Sequence, residues 1–320
     1  MNSPAALLHV DLDSPATLLR FWGNAQNEKV DLEHFYKTAL SRALELFAAC
    51  EVPATFFCVG QELQGSPAFR DQIQKAHRQG HEIANHTQTH PFGLRTLDPA
   101  QIRREIEACS QVITEVTGVR PAGFRAPSYE MDEPVLGILE ALGFQYDSSA
   151  FWSVLQPAMR LYYRMFKRTG NGQAFGGGSI SIPREPYWPS AENWMRPGPR
   201  RAILELPLPR SSLLHVPFYF NFHLQTGAFF RKMALGLMQE PFVAYLFHGI
   251  EFVDLQDGLP NALRVHPGVA VPVKQKLAAM REIILTFKKR YRIPRTLDFV
   301  QQYGTAKDSL RGKAATVLNG

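Results

Sequence analysis

The segment Leu7-Leu8-His9-Val10-Asp11-Leu12-Asp13 decides how the chain is to be read. It is a short apolar run that ends in acids, and it predicts a β-strand. Asp31 to Ala49 follows with helical spacing at Leu40, Leu44 and Phe47. Thr55-Phe56-Phe57-Cys58-Val59, bounded by Pro53 and Gly60, predicts a second strand. A helix over Pro67–Gln79, closed by Gly80, leads to a third strand at Glu82-Ile83-Ala84. Pro99 to Thr117 reads as a helix between an Asp98 cap and Gly118, and Gly123-Phe124-Arg125 as the fourth strand. A helix over Glu133–Leu142, a fifth strand at Phe144–Asp147 and a later one at Ala244–His248 complete the series. Strand and helix alternating at this rhythm imply a parallel α/β architecture, either a barrel or a doubly wound sheet. Polar groups gather at the strand ends, where barrel enzymes place their chemistry.

At 320 residues, 45% hydrophobic and 20% charged, the chain has ample apolar content for a core, which excludes disorder for its bulk. Cys50, Cys58 and Cys109 form no disulfide framework and fit a reducing compartment. The net charge of +6, with a pI near 9.2, suits an acidic partner. The N-terminal residues lack a basic, long-apolar signal pattern and reach Asp11 early. The longest uncharged run, 211–230, carries Pro217, Asn221, His215, His223 and Gln225, so no membrane span is expected there. A cytoplasmic location is the expectation, with one domain over residues 1–304 and a disordered tail at 305–320. The rhythm breaks over about 153–201, a Gly- and Pro-rich inserted loop region. Its glycines lack the Gly-Lys-Ser/Thr ending of a phosphate loop, so nucleotide binding is rejected.

Asp11 and Asp13 lie two apart on the predicted strand and so share a face. Burying two like charges calls for a cation or a proton, although solvated strand-end acids account for the pair equally well. In His86-Thr87-Gln88-Thr89-His90 two histidines stand four apart, a spacing that on a helix or helical turn brings both imidazoles to one side. With Asp13 they offer two nitrogens and one oxygen, a donor set for a catalytic divalent ion. Arg125, stiffened by Pro127, stands at a strand end where it can pair with Asp11. His248 ends an apolar strand.

Taken in order, these groups resemble the polysaccharide deacetylase family (the NodB-homology or carbohydrate esterase family 4 domain). Asp11-Leu12-Asp13-Ser14-Pro15 is similar to its first motif in a D-x-D form, and His86–His90 to its second. Arg125-Ala126-Pro127-Ser128-Tyr129 resembles the third, Asp147-Ser148-Ser149 part of the fourth, and Leu246-Phe247-His248 the fifth. The resemblance spans residues 7 to 253. It implies a distorted (β/α)7-type barrel and metal-dependent removal of an N-acyl group, usually acetyl, from an amino sugar. By position, Asp13, His86 and His90 would bind the metal, most often Zn2+. Asp11 would be the base, His248 the acid, and Arg125 the residue that tunes Asp11. Ser128 would offer an oxyanion amide, with Tyr129, Trp152 and Leu246 toward substrate. The acid that orients the histidine in the fourth motif falls at Ala150, which leaves Asp147 as the substitute.

The D-x-D form is similar to a branch of intracellular and lipid-linked-sugar deacylases. Basic and aromatic residues interleave over Leu155–Arg168 and Phe287–Arg292, a pattern suited to an anionic membrane surface or to buried helices with snorkelling cations. No nucleic-acid recognition module is evident. The expected substrate is an N-acylated amino sugar, lipid-linked in cell-envelope glycan synthesis. A deformylase using the same site and an inactive barrel that binds carbohydrate or lipid are the alternatives.

Overall fold

Both faces of the first strand are buried, as a parallel strand between helices and a closed interior requires. The computed structural model describes residues 3–21, 29–158, 161, 178–199, 201–211 and 214–305. Strand β1 (Ala5–Asp11) sorts its side chains by parity. Ala6, Leu8 and Val10 enter a cluster with Phe35, Leu40, Leu44 and Phe47 of the helix Leu32–Ala49. Ala5 and Leu7 instead meet Phe57, Ala84, Tyr146, Leu204 and Phe242, side chains contributed by five other strands. His9 and Asp11 continue this second, interior row.

The remaining strands are β2 (Thr55–Cys58), β3 (Glu82–Asn85), β4 (Gly123–Phe124), β5 (Tyr146–Asp147), β6 (Leu204–Glu205) and β7 (Phe242–His248). They form one sheet in the order β6-β5-β4-β3-β2-β1-β7, with every pair parallel. Leu204 and Phe242, from the two edge strands, share the interior cluster, so the sheet curls round on itself. The outcome is the distorted (β/α)7 barrel that the resemblance implied, and it excludes the doubly wound sheet. Among the described residues, β6 and β7 make no pairing with each other. A C-terminal helix over 296–305 places Phe299 and Val300 in the interior cluster.

The expected cap at Asp98 holds, as a capping box with Gln101, while Asp31, read as the first residue of its helix, caps it instead by accepting from His34 N–H. The short helices Pro15–Phe21, Gly60–Gly65, Phe220–Gln225 and Gly227–Leu237 and the two-residue strand β6 carry no period long enough to read in advance. The described part of the insertion has an ordered role: Tyr187 pairs antiparallel with Glu205 and covers the β6 edge. No helix of the described residues is long and apolar enough to cross a membrane. The expected 305–320 tail lies, from residue 306 onward, outside the described residues.

Candidate metal and acid–base centre

Strand register assembles the site. Asp11 is the pairing partner of both Phe57 on β2 and His248 on β7. His86 N–H donates to Cys58 O and Arg125 N–H to Asn85 O, which carries the same layer across β3 and β4. The candidate base, acid, ligands and arginine therefore lie on one rim, at the carboxyl ends of the strands.

Two local expectations are corrected. Strand β1 ends at Asp11, so Asp13 reaches the site from the following loop and not by strand alternation. Residues 86–90 form no helix; Thr87 (φ 66°) and His90 (φ 52°) are left-handed, and a loop brings the imidazoles together. The loop is fixed from outside. Asn85 Oδ1 accepts Thr87 N–H at 2.8 Å, while its amide donates to Ile106 O and Ser110 Oγ. Glu105 accepts both Thr89 N–H and its hydroxyl at 2.8 Å.

Asp13, His86 and His90 offer ligand atoms within 4.8 Å of one another. Asp13 Oδ1 lies 3.3 Å from His86 Nε2 and 3.2 Å from His90 Nε2, is buried, and has no hydrogen-bond donor. Nδ1 of His86 is 2.8 Å from Arg125 O; donation there leaves the Nε2 lone pair facing Asp13, as a ligating imidazole requires. Burial opposes charge on Asp13, yet the two imidazoles outweigh it and hold the carboxyl well below its usual range. An orphaned buried oxygen between two ring nitrogens fits a divalent cation. Behind it, Ser14, Thr17 and Tyr36 all donate to the buried Glu62, anchoring the loop that carries Asp13.

Arg125 is wholly buried and makes four hydrogen bonds. Nη1 donates to Asp11 Oδ1 at 2.6 Å, Nε to Ser148 O, and Nη2 to Ser148 Oγ and His9 Nδ1 at 2.7 Å. Its face lies 4.2 Å from the Phe57 ring centre. His9, which sequence reasoning passed over, is the interior-row neighbour of Asp11. Burial and then Arg125 hold it well below the usual imidazole range, so it stays neutral and accepts. Parity with Asp11 was the available signal.

His248 is not oriented by Asp147. In sheet order β5 is remote from β7, and the Asp147 carboxylate is taken by Ser149, with Oγ at 2.6 Å, and by Glu205, its register partner on β6. Burial raises both acids, Glu205 the further. Through Ser149 Oγ, which accepts Ala126 N–H, Asp147 instead fixes the backbone beside Arg125. The carboxylate that faces His248 is Glu251: Oε2 accepts His248 N–H at 2.9 Å and Oε1 lies 3.4 Å from Nδ1. A buried glutamate three residues past a strand-end histidine was the missed signal. Burial disfavours the imidazolium, but the Glu251 contacts, then Asp11 and Asp13, raise His248 to about 9.

Ser128 and Tyr129 are both left-handed, at φ 52° and 60°, and half-buried at the rim. Tyr129 packs with Phe151, Leu208, Leu246 and Tyr219 as one apolar wall. Leu246 is fully buried in that wall, one interior step below His248, so its contacts are with protein. Trp152 is partly buried, with Arg210 5.1 Å from its ring centre. Of the two basic-aromatic stretches, 159–160 and 162–168 lie outside the described residues. In the other, Phe287 and Tyr291 are buried while Lys288, Lys289 and Arg290 are exposed, Lys288 and Arg290 donating to Cys50 O and Leu235 O, so its aromatics pack inward and its cations lie at the surface.

Comparison with known proteins finds similarity to deacetylases over part of the chain. The polysaccharide deacetylase family model matches residues 31–146. Over that stretch the chain is similar to the polysaccharide deacetylases. The matched span holds His86, His90 and Arg125, while Asp11, Asp13 and His248 stand outside it. A peptidoglycan deacetylase-like protein of Gibberella zeae is 30% identical over 156 residues, covering 48% of this chain and 40% of that protein. A peptidoglycan deacetylase of Helicobacter pylori is 25% identical over 203 residues, 62% of each chain. A chitooligosaccharide deacetylase of a Bradyrhizobium species is 32% identical over 112 residues, 35% of this chain and 48% of that one. The chain thus spans about 40–62% of the length of these curated relatives. Among solved structures, a Mycobacterium smegmatis protein assigned to the polysaccharide deacetylases superposes with a TM-score of 0.62 at 18% identity, covering 96% of this chain and 95% of that one. That likeness is one of fold.

Proposed function

We propose that this chain is a metal-dependent hydrolase that removes an N-acyl group, acetyl in the first instance, from an amino sugar. The observation that carries the reading is the orphaned Asp13 oxygen between His86 and His90, with Asp11 and His248 paired in register beside it. A divalent ion held by Asp13, His86 and His90, zinc by the donor set, would supply the Lewis acidity that an unreactive amide carbonyl needs. Asp11 accepts the proton of the attacking water, its carboxylate held and aimed by Arg125. The N–H of Ser128, on its left-handed turn, is the oxyanion donor. His248, an imidazolium whose Nδ1 side faces Glu251, keeps Nε2 for the leaving nitrogen, which departs only when protonated.

Ala150 was the feature that favoured an inactive barrel, and Glu251 supplies the carboxylate missing there. The finer reading, a lipid-linked sugar met at the anionic inner face of the cytoplasmic membrane, draws on the charge of +6. It draws also on Phe229, Met233 and Leu237, exposed apolar side chains spaced four apart on Gly227–Leu237 with Lys232 between them. The test is incubation of zinc-loaded protein with N-acetylated chitooligosaccharides and, separately, with a membrane lipid extract, followed by mass spectrometry. Loss of an acetyl or a formyl mass names the acyl group, and the productive arm names the substrate class. Asp11→Asn is expected to keep zinc and lose turnover. An active Asp11→Asn protein removes the assigned base, and inactivity in both arms removes the enzyme reading.

A further inference from the structure

The acid half of the site contains more than His248. Glu251 lies in the turn Gly249–Phe252, is wholly buried, and presents both oxygens to His248. A buried carboxylate is costly unless a cation faces it. The cation in contact is His248 itself, and behind the turn stands Lys276 on the helix Val273–Lys288, also wholly buried, whose Nζ donates to Val253 O and Gly268 O. Those two carbonyls flank the Glu251 turn, and Glu251 is the leading charge acting on Lys276. The segment 266–268 closes the third side: a Cβ on Gly268 would come within 3.5 Å of Glu251 Cγ and 3.2 Å of His266 Cε1.

We propose that Glu251 and Lys276 are positioning residues that hold His248 aimed and protonated, replacing an acid at the end of β5 with a support built from β7 and the helix behind it. This rests on the hydrolase reading for its purpose but on geometry for its existence. Every charged or titratable group facing the unit enters its behaviour. Asp11 and Asp13 act on His248 from the β1 side, and His266 faces both His248 and Lys276. Tyr219 and Tyr245 border Glu251, while Asp254, Asp257 and Arg42 act on Lys276. Burial pushes His266 down to about 3 and leaves it neutral, so Glu251 is the acid in direct contact with the histidine. Because Nδ1 is the atom turned toward Glu251, Nε2 is left for substrate.

Imidazole-nitrogen NMR on the zinc-loaded protein, with His248 assigned by difference from His248→Gln, tests the unit without substrate. In the wild type His248 is expected to titrate well above the ordinary imidazole value. Glu251→Gln should lower it by about one unit or more, and the alkaline limb of kcat should move with it while KM stays within about threefold. Glu251→Asp, which keeps charge but loses reach, should recover part of the shift. Lys276→Met should lower the urea midpoint, and adding Glu251→Gln to it should recover part of that loss, because the uncompensated carboxylate is gone. A wild-type His248 that titrates near 6.5, or a Glu251→Gln protein within about 0.3 units of wild type, overturns the proposal. Additive losses remove Lys276 from it. Inactivity on every N-acyl sugar with the NMR shift intact would sink the hydrolase reading and leave the support standing.

Discussion

Arg125 shows how much of this site depends on the shape of one side chain. Four hydrogen bonds leave one guanidinium in three directions, to Asp11, His9 and both polar atoms of Ser148, with the Phe57 ring against its face. A lysine ammonium is a compact point charge on a flexible stem and cannot span those acceptors from the same position. Arg125→Lys should therefore fold and bind zinc yet lose about a hundredfold or more in kcat, since Asp11 loses its fixed direction. Arg125→Met removes the charge as well and leaves Asp11 buried without a counter-ion, at a cost of about 3–5 kcal/mol in urea denaturation. If Arg125→Lys retains full turnover, the charge alone suffices and the geometric argument is wrong.

At the scale of elements, the loop after β3 is the least regular part of the site and the most tethered from behind. Glu105 on the helix Pro99–Thr117 holds Thr89 by backbone and hydroxyl together, immediately before His90. Glu105→Ala should weaken zinc binding by roughly 10–100-fold in calorimetry while the melting temperature of the metal-free protein stays close to wild type. Unchanged zinc affinity would mean the loop holds its own shape. This loop also shows where sequence reasoning stops. The fourfold spacing correctly brought His86 and His90 together but for the wrong reason, because left-handed Thr87 and His90 do what a helix was expected to do. Strands and helices with several apolar residues in period were legible, as was the Asp98 cap. Strand β6 has two residues and is defined by its pairing with β5, which no local pattern encodes. Asp11, Asp13, His86, His90, Arg125 and His248 could be named because each is chemically distinctive at a strand end. Glu251 and His9 were passed over although each carried a local signal, three residues past His248 and two before Asp11, because what each contacts shows only in the fold.

On the scale of the whole molecule, the sheet curls without sealing, since β6 and β7 do not pair among the described residues, and something must fill the interior below the rim. The helix over 296–305 does so from the amino end of the strands. Thr296 bonds Thr55 and His9, Leu297 N–H donates to Glu82 at the start of β3, and Phe299 stacks at 5.3 Å on Phe242 and 5.6 Å on Tyr303. Phe299 is 4% exposed and joins Leu204 and Leu206 beyond β5 to Phe242 and Ala244 of β7, so it bridges the open seam. Phe299→Ala should cost about 3–5 kcal/mol, by loss of burial and by the cavity left in a seam across which β6 and β7 do not pair among the described residues. Because the reacting groups lie at the opposite ends of the strands, kcat measured well below the melting point should stay within about twofold of wild type. A stability loss under about 1 kcal/mol would mean the seam closes without this side chain. A fall in kcat at unchanged stability would show that the plug reaches the rim through Thr296, His9 and Arg125, making the barrel interior part of the catalytic apparatus and not only its foundation.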